Sequence, residues 1–379
     1  MARMNSTPTN QSTFPAPALD DRPATADAAD MSSLTPNEYL PETTYLNTAS
    51  YGLPSARALA AVRATDTNWA AGRGGPAAMD HLVPDMRAGF ARLLTGANPD
   101  DIALGSGVAG LIAPVATALP PGAEVLLAEG EFSSVSMPFV YRDDLVVRFA
   151  PLAELAAQVR PETALVAVSV VQSADGRVVD LAELRAATKA NDTRLLVDAT
   201  QAAGWLPLRF ADADYWVCAS FKWLIGARSV SFLAVAPELV TQLRPIGSSW
   251  YAAEDRWAEL YHPIALPATA RRYDATPDWL GVVAASAGLS LIEEITVDKI
   301  GAHNLELAEQ FRDGLRALGY EPIPARSPIV CIPGTADLVD QLAEAEVIAS
   351  ARAGLVRFSF HLYNSTDDVE RALSALRTA

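Results

Sequence analysis

The chain has 379 residues, 50% hydrophobic and 20% charged, the balance of an ordinary globular protein with room for one large domain and a smaller one. A formal net charge of -16 and a pI of about 4.7 argue against an extended phosphate backbone or an anionic membrane surface as partner. No run approaches the roughly 18 apolar residues of a membrane helix, and the two cysteines, Cys218 and Cys331, stand in strand-like runs without metal-ligand spacing, as core residues in a reducing compartment.

Residues 1–40 are rich in Pro, Ser, Thr, Ala and Asp and have no apolar period, so a disordered leader is expected there. It contains no apolar segment of the kind that opens a signal peptide, which points to the cytoplasm. From residue 54 the pattern alternates. Helical stretches at 54–71, 84–94 and 107–118 lead into apolar runs at 124–128, 145–150, 164–170, 194–198, 214–219 and 229–236. Most of these runs are apolar throughout, as strands covered on both faces must be, and they predict a mostly parallel sheet in an α/β domain over residues 41–275. Beyond residue 276 long amphipathic helices (278–294, 299–318, 336–345, 366–377) surround short strands at 328–332 and 355–360, a smaller α+β domain over 276–379.

Chemistry in a parallel sheet collects beyond the carboxyl ends of its strands. There the chain places Asp198 and Gln201 in DATQAAG, Gln172, Ser173 and Asp175 in VQSADG, and Ser220 and Lys222 in CASFKWLIG. Each has an ordinary alternative: Asp198 as a helix cap, Lys222 as a solvated surface residue. A lysine flanked by Phe221 and Trp223, however, loses hydration, which favours a neutral amine able to form a Schiff base with an aldehyde. The aldehyde cofactor that needs such a lysine also needs an acid at its pyridinium nitrogen, and Asp198 stands 24 residues earlier on another strand. GSGVAG (105–110) opens a helix, where the backbone N–H groups of Ser106, Gly107 and Val108 suit a phosphate dianion.

The run LLVDATQAAG…DYWVCASFKWLIGARSVSFL resembles the core of class V aminotransferase-like enzymes, a branch of the fold type I family that uses pyridoxal 5'-phosphate. YLNTASYGLP near residue 43 and VRFSFHLYNSTDDVERAL near the end resemble the opening and closing segments of that family, so the likeness spans most of the chain. It implies a fold type I architecture, with Lys222 as Schiff-base lysine and proton shuttle and Asp198 at the pyridinium nitrogen. Gln201 would bond the phenolic oxygen, Phe132 would stack on the cofactor, where its alternative is core packing, and Ser173 and Ser220 would complete the cofactor's ligands. Arg357 would anchor the substrate α-carboxylate through its planar fork, its alternative being a surface ion pair. Asn47, Ala49 and Ser50, with the aromatic segment SSWYAAEDRW (248–257), would shape the rest of the pocket. Thr276 matches a threonine that reaches the phosphate across a dimer interface, which implies a homodimer.

Departures from the family pattern narrow the chemistry. VIASARAGLVRF lacks the nucleophilic cysteine of cysteine desulfurases, so persulfide chemistry of that kind is not expected. Phe221 stands where the family often has His or Tyr on the phosphate, and KWLIGARS replaces K-x-x-x-G-P, which makes Arg228 a candidate for part of the anion binding. SSWYAAEDRW and RRYDATPDWLGVVAASAGLSLIEEI resemble an actinobacterial branch that includes the C-S lyase of ergothioneine biosynthesis and isopenicillin N epimerase-like enzymes. The expected reaction is β-elimination from an S-substituted L-cysteine in thiol or natural-product biosynthesis. A decarboxylating oxidative deaminase, an aminotransferase and an epimerase would use the same site, and a non-catalytic sensor is the reading of another class. No metal, nucleic acid or membrane partner is expected.

Overall fold

Seven strands pair into the central sheet of the computed structural model, which describes residues 31–378. They are β1 (Ile102–Gly105), β2 (Glu124–Ala128), β3 (Val146–Ala150), β4 (Thr163–Ser169), β5 (Arg194–Asp198), β6 (Tyr215–Ala219) and β7 (Ser231–Val235). Across the sheet the order is β3-β2-β4-β5-β6-β7-β1; β7 is antiparallel to both neighbours and every other pairing is parallel. The mostly parallel α/β reading holds. β1 is not legible in the sequence, because four residues leading into a glycine turn carry too little apolar pattern to stand out from GSGVAG.

Strand side chains alternate between faces, and here both faces are dry. Leu126, Val166, Val197, Trp216 and Phe232 point to one side, under α2 (Leu82–Leu93) and, later in the chain, Trp279–Ile295, on which α1 (Ala56–Ala70) packs; Phe90 of α2 stacks on Phe232 at 4.3 Å. Val125, Leu127, Leu165, Leu196 and Leu233 point to the other, under α3 (Val108–Ala118) and α4 (Ser133–Val140). The edge strand β3 is half exposed. Two helices, α4 and α5 (Leu181–Ala190), were absent from the sequence reading; α5 is capped by Asp180, whose Oδ1 accepts the Glu183 amide at 2.9 Å.

A second sheet holds β8 (Ile329–Pro333), β9 (Ser350–Arg352) and β10 (Leu355–Ser359), antiparallel in the order β8-β10-β9. The helix Trp279–Ile295 is α6; after it come α7 (Val297–Ala317), α8 (Ala336–Glu344) and α9 (Thr366–Thr378), and Phe311 of α7 meets Phe358 edge-on at 4.8 Å in the smaller core. The expected boundary at residue 276 falls before α6, but α6 packs on α1 and α2 beside the large sheet. The chain turns toward the smaller sheet only after it, bending by 84° between α6 and α7. Among the described residues no single helix is long and apolar enough to cross a membrane.

Residues 1–30 of the expected leader lie outside the described residues. Residues 31–40 depart from the expectation: the Leu34 amide donates to Leu362 O at 2.9 Å, and Tyr39 packs on Tyr363 at 5.0 Å between centroids. Beyond them Thr44–Tyr45 pairs in parallel with Val347–Ile348, and the Ser359 amide donates to Leu46 O. The amino-terminal segment thus runs along the smaller sheet before entering the large one. Proline and serine content misled here, because the two or three apolar residues that dock the segment are too few to form a period.

Candidate active site

Because β1 lies parallel to β6 through the antiparallel β7, the carboxyl ends of β1, β2, β4, β5 and β6 emerge on one side. A cavity of about 630 Å³ opens there. Lys222, Asp198, Gln201, Phe132, Ser106, Gly107, Val108, Ser173, Ala49, Ser50 and Arg357 all line it. A larger apolar cavity of about 920 Å³ between α1 and α6 contains none of the residues singled out in the sequence.

Lys222 sits in the loop after β6, 6% exposed, with Nζ 5.2 Å from the Phe132 ring centroid and 5.7 Å from that of Phe221. Phe132 is half exposed over the cavity rather than packed in the core. Burial lowers the Lys222 ammonium to about 8, an effect only partly offset by the Asp198 charge. Trp223, the expected second ring, turns away: its Nε1 donates to Gln201 Oε1 at 2.7 Å, and its carbonyl contacts His361 Nε2 at 3.0 Å. The loop is held by close backbone approach. The Gly52 amide donates to Phe221 O at 2.8 Å, and a Cβ on Gly52 would stand 2.2 Å from the Lys222 carbonyl oxygen.

Asp198 ends β5. Its Oδ1 accepts the Thr200 amide at 2.7 Å, so it does cap the turn, while the carboxyl also lines the cavity. Burial raises it to about 6, because no cation is bonded to it. Gln201 is committed elsewhere than expected: Nε2 donates to Ala49 O at 2.9 Å and to Ser173 Oγ at 3.0 Å. Ser173 Oγ also accepts Arg357 Nη1 at 3.0 Å. Having accepted two donors, the Ser173 hydroxyl is left with its own proton to donate, and it lines the cavity beside Gln201.

Arg357, on β10, is buried and not a surface ion pair. Its Nη2 donates to Ser50 Oγ at 2.7 Å and its Nη1 also reaches the Ser173 carbonyl, while Nε is buried without a partner. The guanidinium is held down to about 10, chiefly by burial and next by the charge of Arg352. The guanidinium is on the cavity wall, with Nη2 held by Ser50 and Nε buried.

Three predicted residues do not join the cavity. Ser220 is fully buried and donates to Ala227 O at 2.8 Å, closing its own turn, so its hydroxyl is not directed at a phosphate. Thr276 is exposed, outside this chain's cavity. Asn47 lies behind the wall, its Oδ1 buried and unpartnered. The segment 248–257 also stays away: Tyr251, Arg256 and Trp257 all donate to Asp80. Residues that stand outside the sequence expectation are Arg352 on the wall, Glu131, which accepts from Phe132 N, Ser169 and Gln172, and Gly52. Only Gly52 carried a signal, as the glycine of ASYGLP.

The arrangement fits pyridoxal 5'-phosphate. Asp198 is a buried carboxyl lacking the cation that a protonated ring nitrogen supplies, and Phe132 offers a ring face. The amino end of α3 has no side-chain cap, and a Cβ on Gly107 would meet only open space, so Ser106, Gly107 and Val108 present free N–H groups to a phosphate. Arg228, stacked on Phe221 at 5.0 Å, adds a cation in place of the expected Ser220 contact.

A family model described as aminotransferase class V matches residues 76–372. The uncharacterized aminotransferase YcbU of Bacillus subtilis (strain 168) is 27% identical over 307 residues, 76% of this chain and 81% of that protein. Isopenicillin N epimerase of Amycolatopsis lactamdurans is 26% identical over 323 residues, 74% and 81% of the two. Among solved structures, the cystine C-S lyase C-DES in complex with cysteine persulfide superposes with a TM-score of 0.80 at 23% identity, covering 89% of this chain and 98% of that one.

Proposed function

Since the chain belongs to the class V aminotransferase family and to the fold type I enzymes that use pyridoxal 5'-phosphate, we propose that it is a β-eliminating C-S lyase acting on an S-substituted L-cysteine. The bound cofactor supplies an aldehyde for amines and a protonated ring that draws electrons from the substrate Cα. Asp198 keeps the ring nitrogen protonated, the backbone at Ser106–Val108 and Arg228 hold the phosphate, and Ser173 donates to the hydroxyl side. Arg357, a buried guanidinium on the wall, would bond the substrate α-carboxylate. Lys222, lowered to about 8 by burial, would be the base for the α-proton, with the β-thiolate as the leaving group.

One observation carries this reading. The cavity lining contains a single amine base, Lys222, and no thiol. Cys218 and Cys331 are both fully buried elsewhere, and burial raises both thiols. Sulfur abstraction by a protein thiolate therefore has no nucleophile among the described residues, whereas elimination needs only the base. A homodimer in which Thr276 reaches the partner's phosphate is part of the same proposal, as is a cytoplasmic location.

Mass spectrometry of products from a panel of S-substituted cysteines tests the reaction: pyruvate, ammonia and the released thiol are expected. A keto acid retaining the sulfur, an aldehyde with carbon dioxide, or an inverted amino acid would replace elimination with transamination, oxidative decarboxylation or epimerisation. Borohydride should fix the cofactor to the peptide containing Lys222 and fail to do so in Lys222→Ala; attachment at Lys189 or Lys299 would move the site.

A further inference from the structure

Arg352 lies at the end of β9, where Ala353 (φ 49°) and Gly354 (φ 78°) reverse the chain into β10. The hairpin brings it back over the cavity. Nη1 donates to the Ala351 carbonyl at 2.7 Å, and Nη2 donates to Ser50 Oγ at 3.3 Å. That oxygen also accepts Arg357 Nη2 at 2.7 Å. Two guanidinium groups therefore converge on one hydroxyl, an arrangement that Coulomb repulsion opposes unless an anion joins them. The protein supplies none. The only acid in the lining is Asp198, at the end of β5, and among the described residues neither arginine forms an ion pair.

If Arg357 holds the α-carboxylate, as in the function proposed above, Arg352 remains as a second cation on the same wall. Arg228 is engaged across the cavity on Phe221, so it does not compete for this position. Arg352 is exposed, at the rim, where the far end of a long side chain would pass rather than the reacting Cα. We propose that Arg352 binds a second acidic group, a carboxylate at the distal end of the substrate side chain, and so selects dianionic amino acids over those with neutral side chains. The shared Ser50 hydroxyl, with two donors already pointing at it, has its proton free to bond either carboxylate and couples the two contacts.

Matched ligands test this without requiring elimination: L-glutamate against L-glutamine, L-2-aminoadipate against its ω-amide, and S-carboxymethyl-L-cysteine against S-carbamoylmethyl-L-cysteine. Binding is read from the initial change in near-visible absorbance of the holoprotein on mixing. Wild type should favour the acid of each pair by roughly 2- to 5-fold, as expected for an ion pair at a solvent-open rim. Arg352→Gln should bring each acid to within twofold of its amide, and raising the salt concentration should shrink the wild-type preference. A wild-type preference under twofold, or one that survives in Arg352→Gln, overturns the assignment. Absence of pyruvate and thiol among the products sinks the elimination reading alone, because the binding preference does not depend on which bond breaks.

Discussion

Asp198 and Lys222 are buried groups whose charged forms are both disfavoured, and the signs give them opposite pH windows. Asp198 rises from 3.8 to about 6 on folding, so the fold binds its proton more tightly than the unfolded chain does, and stability falls as pH rises through that interval. Lys222 drops from 10.5 to about 8, so stability is recovered as pH rises from there toward 10.5. Both costs are complete between the two windows. Cofactor-free Asp198→Asn should accordingly be more stable than wild type at neutral pH, by on the order of 1–3 kcal/mol, with the gap closing near pH 4. Thermal melts across pH measure it, and a gap of constant size would show that ionisation is not its cause. With cofactor bound, the same variant should lose roughly 100-fold or more in kcat, since an amide cannot hold the ring nitrogen protonated. Arg357→Ala should keep the cofactor attached to Lys222 yet lose about 2–5 kcal/mol of substrate interaction, or roughly 30-fold to several thousand-fold in kcat/KM. Arg357→Lys should recover little, because a point charge does not reproduce the planar fork of the guanidinium. Unchanged kcat/KM in either variant would place the carboxylate anchor elsewhere.

At the scale of elements, the lysine loop is clamped between the amino-terminal segment and the smaller sheet. Gly52 presses on the Lys222 carbonyl and bonds Phe221 O, and His361, just after β10, contacts Trp223 O from the other side. His361 is fully buried and held at about 3, primarily by burial, so it stays neutral throughout the working pH range. Gly52→Ala cannot fit its methyl without moving the backbone of the loop. It should cost about 1–3 kcal/mol and reduce borohydride trapping at Lys222, while far-UV circular dichroism stays as in wild type. Normal trapping would mean that the loop tolerates the shift. A second clamp joins α2 to the segment before α6: Arg87 and Asp274, both buried, pair with each other, and Asp274 Oδ1 accepts the Leu104 amide at 2.9 Å. Removing one partner of such a pair strands the other charge, so Asp274→Ala should lower stability by about 3–5 kcal/mol in denaturant titrations.

For the whole molecule, the proposed dimer is tested at Thr276. Thr276 is exposed, and the aromatic segment 248–257 is tied to Asp80 away from the cavity of its own chain. If the proposed dimer brings Thr276 to the partner's phosphate, sedimentation should find a dimer, and Thr276→Ala should weaken cofactor retention by roughly 5- to 10-fold, the effect of one lost hydrogen bond to a charged group. Mixing Thr276→Ala with Lys222→Ala supplies a sharper readout. A hybrid dimer would carry both lesions in one site and leave the other intact, restoring activity, whereas a threonine acting within its own chain would leave every site damaged.

The amino-acid sequence determined by itself the features that are written in neighbouring residues. Continuous apolar runs specified a sheet buried on both faces, and polar residues at or just beyond the ends of such runs placed Asp198 and Lys222 on the carboxyl side of the sheet, because strand direction in a parallel sheet carries those ends to one side. Tertiary structure decided where side chains turn. Ser220 was sent inward to Ala227, the Gln201 amide was spent on Ala49 and Ser173, and Trp223 was drawn from Lys222 toward Gln201. It also joined Ser50 to Arg357 across 307 residues of chain and added Arg352 to the same oxygen. Such contacts leave no periodic trace, since each depends on one rotamer meeting one partner brought near by the packing of distant elements. Chain direction and burial are properties of a run of residues, and hydrogen-bond partnership is a property of a place in space.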